Sequence, residues 1–294
     1  MPEGRIIKAL SGFYYVKTED GEVIQCRGRG VFRKKKITPL VGDFVKFEAD
    51  SPEEGYIIEI NPRENELVRP PIANIDQAII VNAAIQPDFS TTLLDRFLVL
   101  IEAKHIKPVI LISKMDLISE EERKTIEAYR DDYEKIGYRV ELVSSKESDG
   151  VLSIEDYFAN VVTVFAGQSG VGKSSILNAL KPSLLLKTAA ISESLGRGKH
   201  TTRHVELVQV NNGLVADTPG FSALDFQEIE GEDLADCFPE MHERKGECKF
   251  RGCMHHKEPQ CAVKEAVETG EISSYRYEHY LTFLEEIQSR KPRY

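Results

Sequence analysis

The pattern of hydrophobic and polar positions changes twice along the chain, and its first part predicts short strands. Alternating or β-rich runs cover residues 5–10, 13–18, 22–26, 43–48 and 56–60, with turn-forming residues between them. Consecutive short strands of this kind indicate a small five-stranded β-barrel. An oligonucleotide-binding (OB) barrel is the favoured form and an SH3-like barrel is the alternative, because periodicity alone does not distinguish them.

A second pattern begins after the stiff sequence Arg69-Pro70-Pro71. Apolar runs now alternate with amphipathic stretches, which is typical of a parallel α/β sheet. Strands are predicted over residues 77–82, 108–113, 138–143 and 161–166, and helices over 91–103, 120–136 and 174–180. Ser119 and Glu122 form a candidate capping box, which fixes the start of the second helix.

The third pattern starts near residue 226, where the strand signal stops. A segment rich in Cys, His, Lys and Glu leads there to a last predicted helix over residues 275–288. We therefore expect a multidomain protein. Its domains are an OB-type barrel over residues 1–68, a P-loop α/β domain over 72–225 and a mostly helical domain over 226–294.

A glycine-rich turn joins the strand at 161–166 to the helix at 174–180. Two glycines, a lysine and a hydroxyl at this spacing let backbone N–H groups surround phosphates while Lys173 reaches the outer oxygens and Ser174 holds Mg²⁺. An ordinary turn is the alternative, although strand, glycine turn and helix are the context that the motif requires. The predicted binding residues are Gly167, Gln168, Ser169, Gly170, Val171, Gly172, Lys173, Ser174 and Ser175.

The tetrapeptide Ser113-Lys114-Met115-Asp116 follows another predicted strand and has the chemistry to recognise guanine. The carboxylate of Asp116 can accept hydrogen bonds from both N1–H and the exocyclic amine, and the aliphatic stem of Lys114 can cover the purine face. Ser113 stands where Asn or Thr is commoner. Further along, Ser144, Ser145 and Lys146 occupy the place where GTPases contact the guanine oxygen.

The segment Asp217-Thr-Pro-Gly220 matches the part of a GTPase that senses the γ-phosphate. Asp217 is expected to act through the water shell of Mg²⁺ and Gly220 through its N–H. Thr202 is the preferred switch hydroxyl for Mg²⁺, with Thr201 as the alternative. Phe221 stands where many GTPases carry the glutamine that orients water, so His200 is the candidate catalytic group; an exposed loop histidine is the alternative.

Composition limits the classes of partner and compartment. The chain of 294 residues has a net charge of −10, no apolar run of membrane-spanning length and no segment resembling a signal peptide, so a cytoplasmic location without a membrane is expected. Its basic residues are nevertheless clustered. One cluster predicts RNA contacts at Arg27, Arg29, Arg33, Lys34, Lys35 and Lys36; others hold Arg197, Lys199 and Arg203, and Arg244, Lys245, Lys249 and Arg251.

The guanine motif precedes the phosphate-binding loop, whereas ordinary GTPases have the opposite order. With the N-terminal barrel and the C-terminal Cys/His segment, this arrangement resembles the RsgA family of circularly permuted GTPases over almost the whole chain. The resemblance implies a GTP hydrolase that binds the small (30S) ribosomal subunit and its rRNA late in assembly and is stimulated by the subunit. It also implies a catalytic role for His200; Ser113 is a mild departure from the family pattern.

The resemblance further implies one structural Zn²⁺ per chain, held by Cys248, Cys253, His255 and Cys261, with His256 as an alternative to His255. Five cysteines are an odd number, which argues against a disulfide framework, and the remaining Cys26 and Cys237 are expected to be buried. A monomer is expected. Alternative functions are a translation-factor-like RNA-binding module with the GTPase as a timing element, and a signalling or transport GTPase.

Overall fold

The computed structural model describes residues 1–30, 32, 37–144, 154–181, 205–216 and 224–290. The chain forms two compact units. The first contains Met1–Ile79 and Ser144–Ser222, and the second contains Ile80–Val143 and Ala223–Tyr294. The unit boundaries therefore fall inside the α/β stretch predicted from the sequence.

The elements follow the predicted order closely. The strands are β1 Glu3–Leu10, β2 Phe13–Thr18, β3 Val23–Gly28, β4 Phe44–Ser51, β5 Glu54–Ile60, β6 Glu66–Val68, β7 Pro71–Ala73, β8 Gln77–Ala83, β9 Lys107–Ser113, β10 Arg139–Leu142, β11 Val162–Ala166, β12 Leu207–Val210 and β13 Gly213–Ala216. The α-helices are α1 Thr91–Glu102, α2 Glu120–Lys135, α3 Lys173–Leu180, α4 Pro239–His242, α5 Ala262–Glu268 and α6 Ser274–Gln288. Short 3₁₀ helices cover Met115–Leu117, Glu155–Phe158, Leu234–Cys237 and Lys245–Glu247.

In the first unit, β1 to β5 close into a barrel with the order β1-β2-β3-β5-β4. The strand β3 runs parallel to β5, and β1 pairs antiparallel with β4. This is the Greek-key closure of an OB barrel, so the favoured prediction is confirmed and the SH3-like alternative is wrong. Alternate residues fill the barrel: Ile6, Val16, Val45 and Ile57 are completely buried.

The Arg69-Pro70-Pro71 break lies in a hairpin that the sequence did not predict. It is the turn between β6 and β7, which pair antiparallel. This hairpin meets the barrel through a bridge between Val41 and Ile72, and the neighbouring Gly42 has φ +94° and would place a Cβ 1.9 Å from the Ala73 oxygen. Only glycine fits such a contact.

Within the first unit the α/β sheet contains the start of β8, then β11, β13 and β12. The strand β11 runs parallel to β13, whereas β12 is an antiparallel edge strand. The parallel pattern expected from sequence is therefore broken at this edge. Just before β12, Glu206 forms an ion pair of 3.0 Å with Lys8 on the barrel.

In the second unit, the rest of β8 is followed by β9 and β10, which pair in parallel. The helix α2 begins at the predicted capping box: Ser119 Oγ accepts from the Glu122 N–H at 3.3 Å, and Glu122 Oε2 accepts from the Ser119 N–H at 2.7 Å. The expectation of a mostly helical C-terminal segment is confirmed. None of the helices in the described residues is long and apolar enough to cross a membrane.

The C-terminal helices share a hydrophobic core with α1. Phe226, Phe238, Tyr280 and Phe283 are buried in one cluster that also contains Val99 of α1. Burial of this aromatic surface stabilises the packing of the C-terminal helices on α1. The C-terminal segment and this part of the α/β sequence therefore form one packed body.

Candidate nucleotide and metal sites

The phosphate-binding loop begins where β11 ends, in the first unit. Gly167, Gly170 and Gly172 all have positive φ, at 131°, 84° and 97°. These conformations favour glycine and allow a tight turn in which backbone N–H groups are available to an anion. The structure thus places strand, glycine turn and helix in the order that the sequence predicts.

The helix α3 starts directly after this turn, since the N–H of Ile176 donates to the Gly172 oxygen at 3.0 Å. Ser174 and Ser175, in its first turn, are exposed. A helix N-terminus carries free N–H groups and a partial positive charge, both of which favour phosphate.

Lys173 is held across the loop by two backbone oxygens. Its Nζ donates to the Gly167 oxygen at 2.8 Å and to the Gln168 oxygen at 2.5 Å. Burial lowers the pKa of Lys173, and a phosphate beside the ammonium would favour its charged form again. These carbonyl contacts hold the lysine head within the loop.

The guanine tetrapeptide follows β9 in the second unit. Ser113 is buried and its Oγ donates to the Asn82 oxygen at 3.1 Å. Lys114 adopts a left-handed conformation with φ 63°, and its ammonium donates to the Gln86 oxygen. Met115 is buried and anchors the turn, which leaves the carboxylate of Asp116 exposed.

The oxygens of Asn82 and Gln86 are site-forming groups that sequence analysis missed. They are backbone acceptors, and any residue type can supply them. The left-handed Lys114 is a strained conformation for a residue with a Cβ, and these hydrogen bonds keep it in place. No residue pattern could have identified them.

Of the residues predicted to contact the guanine oxygen, only Ser144 belongs to the described part of the chain, where it is buried beyond the end of β10. The remaining predicted guanine, magnesium and catalytic positions fall in undescribed segments: Ser145, Lys146, His200, Thr201, Thr202, Asp217, Gly220 and Phe221.

The structure brings the four predicted metal ligands together in the second unit. One ligand atom from each of Cys248, Cys253, His255 and Cys261 lies within 4.8 Å of the others. The Sγ atoms of Cys248 and Cys261 are 3.9 Å apart, and His255 Nδ1 lies 3.5 Å and 3.3 Å from them. A tetrahedron with metal–sulfur bonds of about 2.3 Å has edges of about 3.8 Å, so the cluster can hold a metal ion.

His255, and not its neighbour His256, belongs to the cluster. His255 is completely buried with φ 52°, whereas His256 is exposed. The Nδ1 atom of His255 faces the sulfurs, and its buried Nε2 has no hydrogen-bond partner among the described residues. Burial raises the pKa of the Cys253 thiol to about 12, and a bound cation is the natural way to hold such a thiol as thiolate.

Three side chains fix the backbone that carries the cluster. Tyr277 Oη donates to the His255 oxygen and Tyr280 Oη to the Met254 oxygen, both at 2.7 Å. Glu258 accepts from the N–H groups of Met254 and His256 at 2.9 Å and 3.0 Å. Such supporting contacts orient metal ligands and reduce their freedom before the ion binds. The predicted non-ligands Cys26 and Cys237 are buried elsewhere.

The described residues of the first basic cluster, Arg27 and Arg29, are exposed but already have partners within the fold. Arg27 lies in β3, which extends beyond the predicted strand end at residue 26, and its guanidinium is 4.7 Å from the Phe13 ring centre. Arg29 pairs with Glu48 at 2.7 Å. Arg33, Lys34, Lys35 and Lys36 fall outside the described residues.

Comparison with known proteins shows two family matches. A family described as RsgA GTPase matches residues 60–227, and one described as RsgA N-terminal domain matches residues 3–57. A protein named small ribosomal subunit biogenesis GTPase RsgA 2, from Oceanobacillus iheyensis, is 69% identical over 294 residues, which is 100% of each chain. The protein named small ribosomal subunit biogenesis GTPase RsgA from Bacillus subtilis is 62% identical over 298 residues, again 100% of each chain.

Solved structures agree with this similarity. The crystal structure of YloQ, described as a circularly permuted GTPase, is 57% identical with a TM-score of 0.87, covering 100% of this chain and 97% of that one. YjeQ from Thermotoga maritima is 36% identical with a TM-score of 0.88 and 99% coverage of both chains.

Proposed function

This chain belongs to the RsgA GTPase family and hydrolyses GTP, and from that premise we propose that it acts on the small (30S) ribosomal subunit late in its assembly. The observation that carries the proposal is the full-length identity of 69% to a small ribosomal subunit biogenesis GTPase. Such a factor acts in the cytoplasm. We further propose that it works as a monomer and without a membrane.

In this proposal the exposed Asp116 recognises guanine, with Lys114 along the base, Met115 and Ser113 supporting the turn, and residues 144–146 at the guanine oxygen. Gly167 to Ser175 bind the phosphates. Ser174, Thr202 and Asp217 would hold Mg²⁺, which would supply positive charge beside the transferred phosphoryl group. Gly220 senses the γ-phosphate, and His200 assists the attacking water because Phe221 cannot.

We assign zinc to the Cys/His cluster because three sulfurs and one nitrogen at tetrahedral spacing suit this ion. All four ligand positions are then supplied by the protein, which is typical of a structural site. Cys248, Cys253, His255 and Cys261 would hold one ion per chain.

The barrel supports contact with rRNA on its outer surface. Across neighbouring strands, Arg27 is in register with Phe13 on one side and Tyr56 on the other, and Tyr56 is exposed. An aromatic and cationic row of this kind is typical of single-stranded nucleic-acid binding. Arg29 pairs with Glu48 only at the surface, where a phosphate can replace the carboxylate at little cost. Arg33, Lys34, Lys35 and Lys36 are proposed to continue this contact.

Small ribosomal subunits are expected to stimulate GTP turnover at least about tenfold, whereas large subunits and bulk RNA are not, because a correctly docked partner supplies the polarisation that Phe221 does not. The measurement is steady-state phosphate release by the full chain alone and with each addition. An equal rate in all mixtures contradicts the proposal. Equal stimulation by bulk RNA favours instead an RNA-binding module with the GTPase as a timing element.

Replacing Asp116 by asparagine is expected to weaken GTP binding about a hundredfold and to favour a xanthine nucleotide. Guanine presents two donors, N1–H and the exocyclic amine, and the asparagine amide faces one of them with a donor of its own instead of an acceptor. Equilibrium binding of fluorescent GTP and XTP analogues measures the ratio of the two affinities in each variant. Glu120→Gln removes a nearby exposed carboxylate and is the control, with wild-type preference expected. If Asp116→Asn keeps wild-type affinity for GTP, Asp116 does not recognise the base.

A further inference from the structure

An exposed aromatic residue projects from the loop between the first two metal ligands. The loop Lys249-Phe250-Arg251-Gly252 separates Cys248 from Cys253, and each of its four residues is exposed. Phe250 itself is 44% exposed, so its ring is accessible to a partner. The packing of the core does not explain this residue.

The loop is held in one shape. Both of its ends are candidate metal ligands, the Lys249 N–H donates to the Gln260 oxygen at 3.3 Å, and Gly252 supplies a turn with φ 74°. A ring presented on a fixed loop loses little freedom when it binds a partner. The arrangement therefore suits a contact residue better than an incidental surface phenylalanine.

The four residues of the basic cluster that the sequence predicts here divide into two kinds. Arg244 pairs with Glu271 at 3.0 Å, and Lys245 pairs with Asp236 at 2.8 Å, so these two charges are already compensated. Lys249 and Arg251 form no ion pair within the described part of the chain. Lys249 Nζ lies 5.8 Å from the Phe250 ring centre. Two charges without an ion pair among the described residues therefore flank the exposed ring on either side.

We propose that Phe250 stacks on an unpaired RNA base while Lys249 and Arg251 bind the adjoining phosphates. The inference rests on the proposed ribosomal function and names the kind of RNA that this surface takes. In an A-form duplex the base faces are covered by their neighbours, so an aromatic ring needs a single-stranded loop, bulge or end. Cations on both sides match the phosphate that follows and the one that precedes the stacked base.

The first test uses fluorescence, because the chain contains no tryptophan. Phe250→Trp places a single tryptophan at the tip of the loop, and stacking on a base quenches its emission. Titration of the full chain with an oligouridine of eight nucleotides at low salt is expected to give saturable quenching. His242→Trp, at an exposed position of the same segment beside Asp236, is the control and is expected to show none.

The second test separates stacking from simple apolar contact and from charge. Phe250→Ala is expected to weaken oligouridine binding about tenfold in fluorescence anisotropy, Phe250→Leu nearly as much, and Phe250→Tyr little, because only the aromatic ring stacks. Lys249→Ala with Arg251→Ala should weaken binding and reduce its salt dependence, whereas Arg244→Ala with Lys245→Ala should do so less. All side chains changed at 249–251 are exposed, so thermal unfolding is expected to stay as in the wild type.

The outcomes distinguish this inference from the proposed function. If small subunits stimulate the wild type but Phe250→Leu binds oligouridine as well as wild type, the stacking proposal is wrong and the ribosomal function stands; the ring then contacts a protein. If Phe250→Trp is quenched but small subunits give no stimulation, the RNA site stands and the proposed function fails. Equal quenching at positions 250 and 242 contradicts the inference.

Discussion

Replacing Arg276 by methionine is expected to lower the free energy of unfolding by about 3 to 5 kcal/mol. Arg276 is 2% exposed and lies between Asp95 and Glu240, which are 0% and 3% exposed. Its Nη1 lies 2.5 Å from Asp95 Oδ1, and its Nε and Nη2 lie 2.8 Å and 2.9 Å from the two oxygens of Glu240. Methionine fills a similar space but leaves two carboxylates in the core without their cation.

The surrounding groups compensate for this loss only in part. Tyr133 Oη donates to Asp95 Oδ1 at 2.7 Å, and His279 Nδ1 lies 2.6 Å from Asp95 Oδ2. Glu240 has no cation other than Arg276 among the ion pairs of the described residues. Burial by itself lowers the pKa of Arg276, but Asp95 and Glu240 raise it well above its ordinary value, so the guanidinium stays charged at every working pH.

Urea unfolding followed by circular dichroism measures the change. Arg244→Met is the matched control, because its partner Glu271 is 61% exposed and the loss should stay below about 1 kcal/mol. Adding Asp95→Asn and Glu240→Gln to Arg276→Met should recover part of the loss, since it removes the buried charges. Equal losses for Arg276→Met and Arg244→Met would show that the buried network does not hold the C-terminal helices on α1.

This network marks the limit of what the sequence could predict about the fold. The start of α2 was predictable because Ser119 and Glu122 are neighbours along the chain and their hydrogen bonds are local. The partners of Arg276 lie 181 and 36 residues away, and nothing near them distinguishes a buried arginine from an exposed one. The edge strand β12 was missed for a related reason: it is short, and only its pairing with β13 defines it.

The candidate site shows the same division. The residues of the phosphate loop are close to one another along the chain, and so are the four metal ligands. Spacing in the sequence therefore identifies each set, and the structure brings the members of each set together. Lys114 and Lys173 donate to backbone oxygens. Every residue carries such an oxygen, so the sequence does not show which ones accept these hydrogen bonds. The ion pairs that compensate Arg244 and Lys245 depend on folding, so the sequence alone does not separate these two residues from Lys249 and Arg251.

Removal of the proposed zinc is expected to unfold the segment around its ligands while α6 stays packed. A structural zinc contributes on the order of 10 kcal/mol to the folding of a small site, and Cys253 and Cys261 are part of the same core as Met241, Val263 and Ala266. Without the ion, buried thiols remain in that core beside an imidazole whose Nε2 has no hydrogen-bond partner among the described residues. The helix α6 has anchors that do not involve the metal ligands: the ring of Phe283 lies 5.0 Å from that of Phe226, and Arg276 pairs with Asp95.

His255 and His256 provide a matched pair of variants for this prediction. His255→Ala is expected to abolish binding of one zinc per chain and to lower the unfolding temperature of the second unit, whereas His256→Ala, at an exposed position, should keep both. Metal content after gel filtration and hydrogen exchange measure the two effects. Amides of residues 248–268 should lose protection on chelation, and those of α6 should lose much less. Equal loss along both segments would mean that the ion, and not the aromatic and ionic contacts with α1, holds the last helix in place.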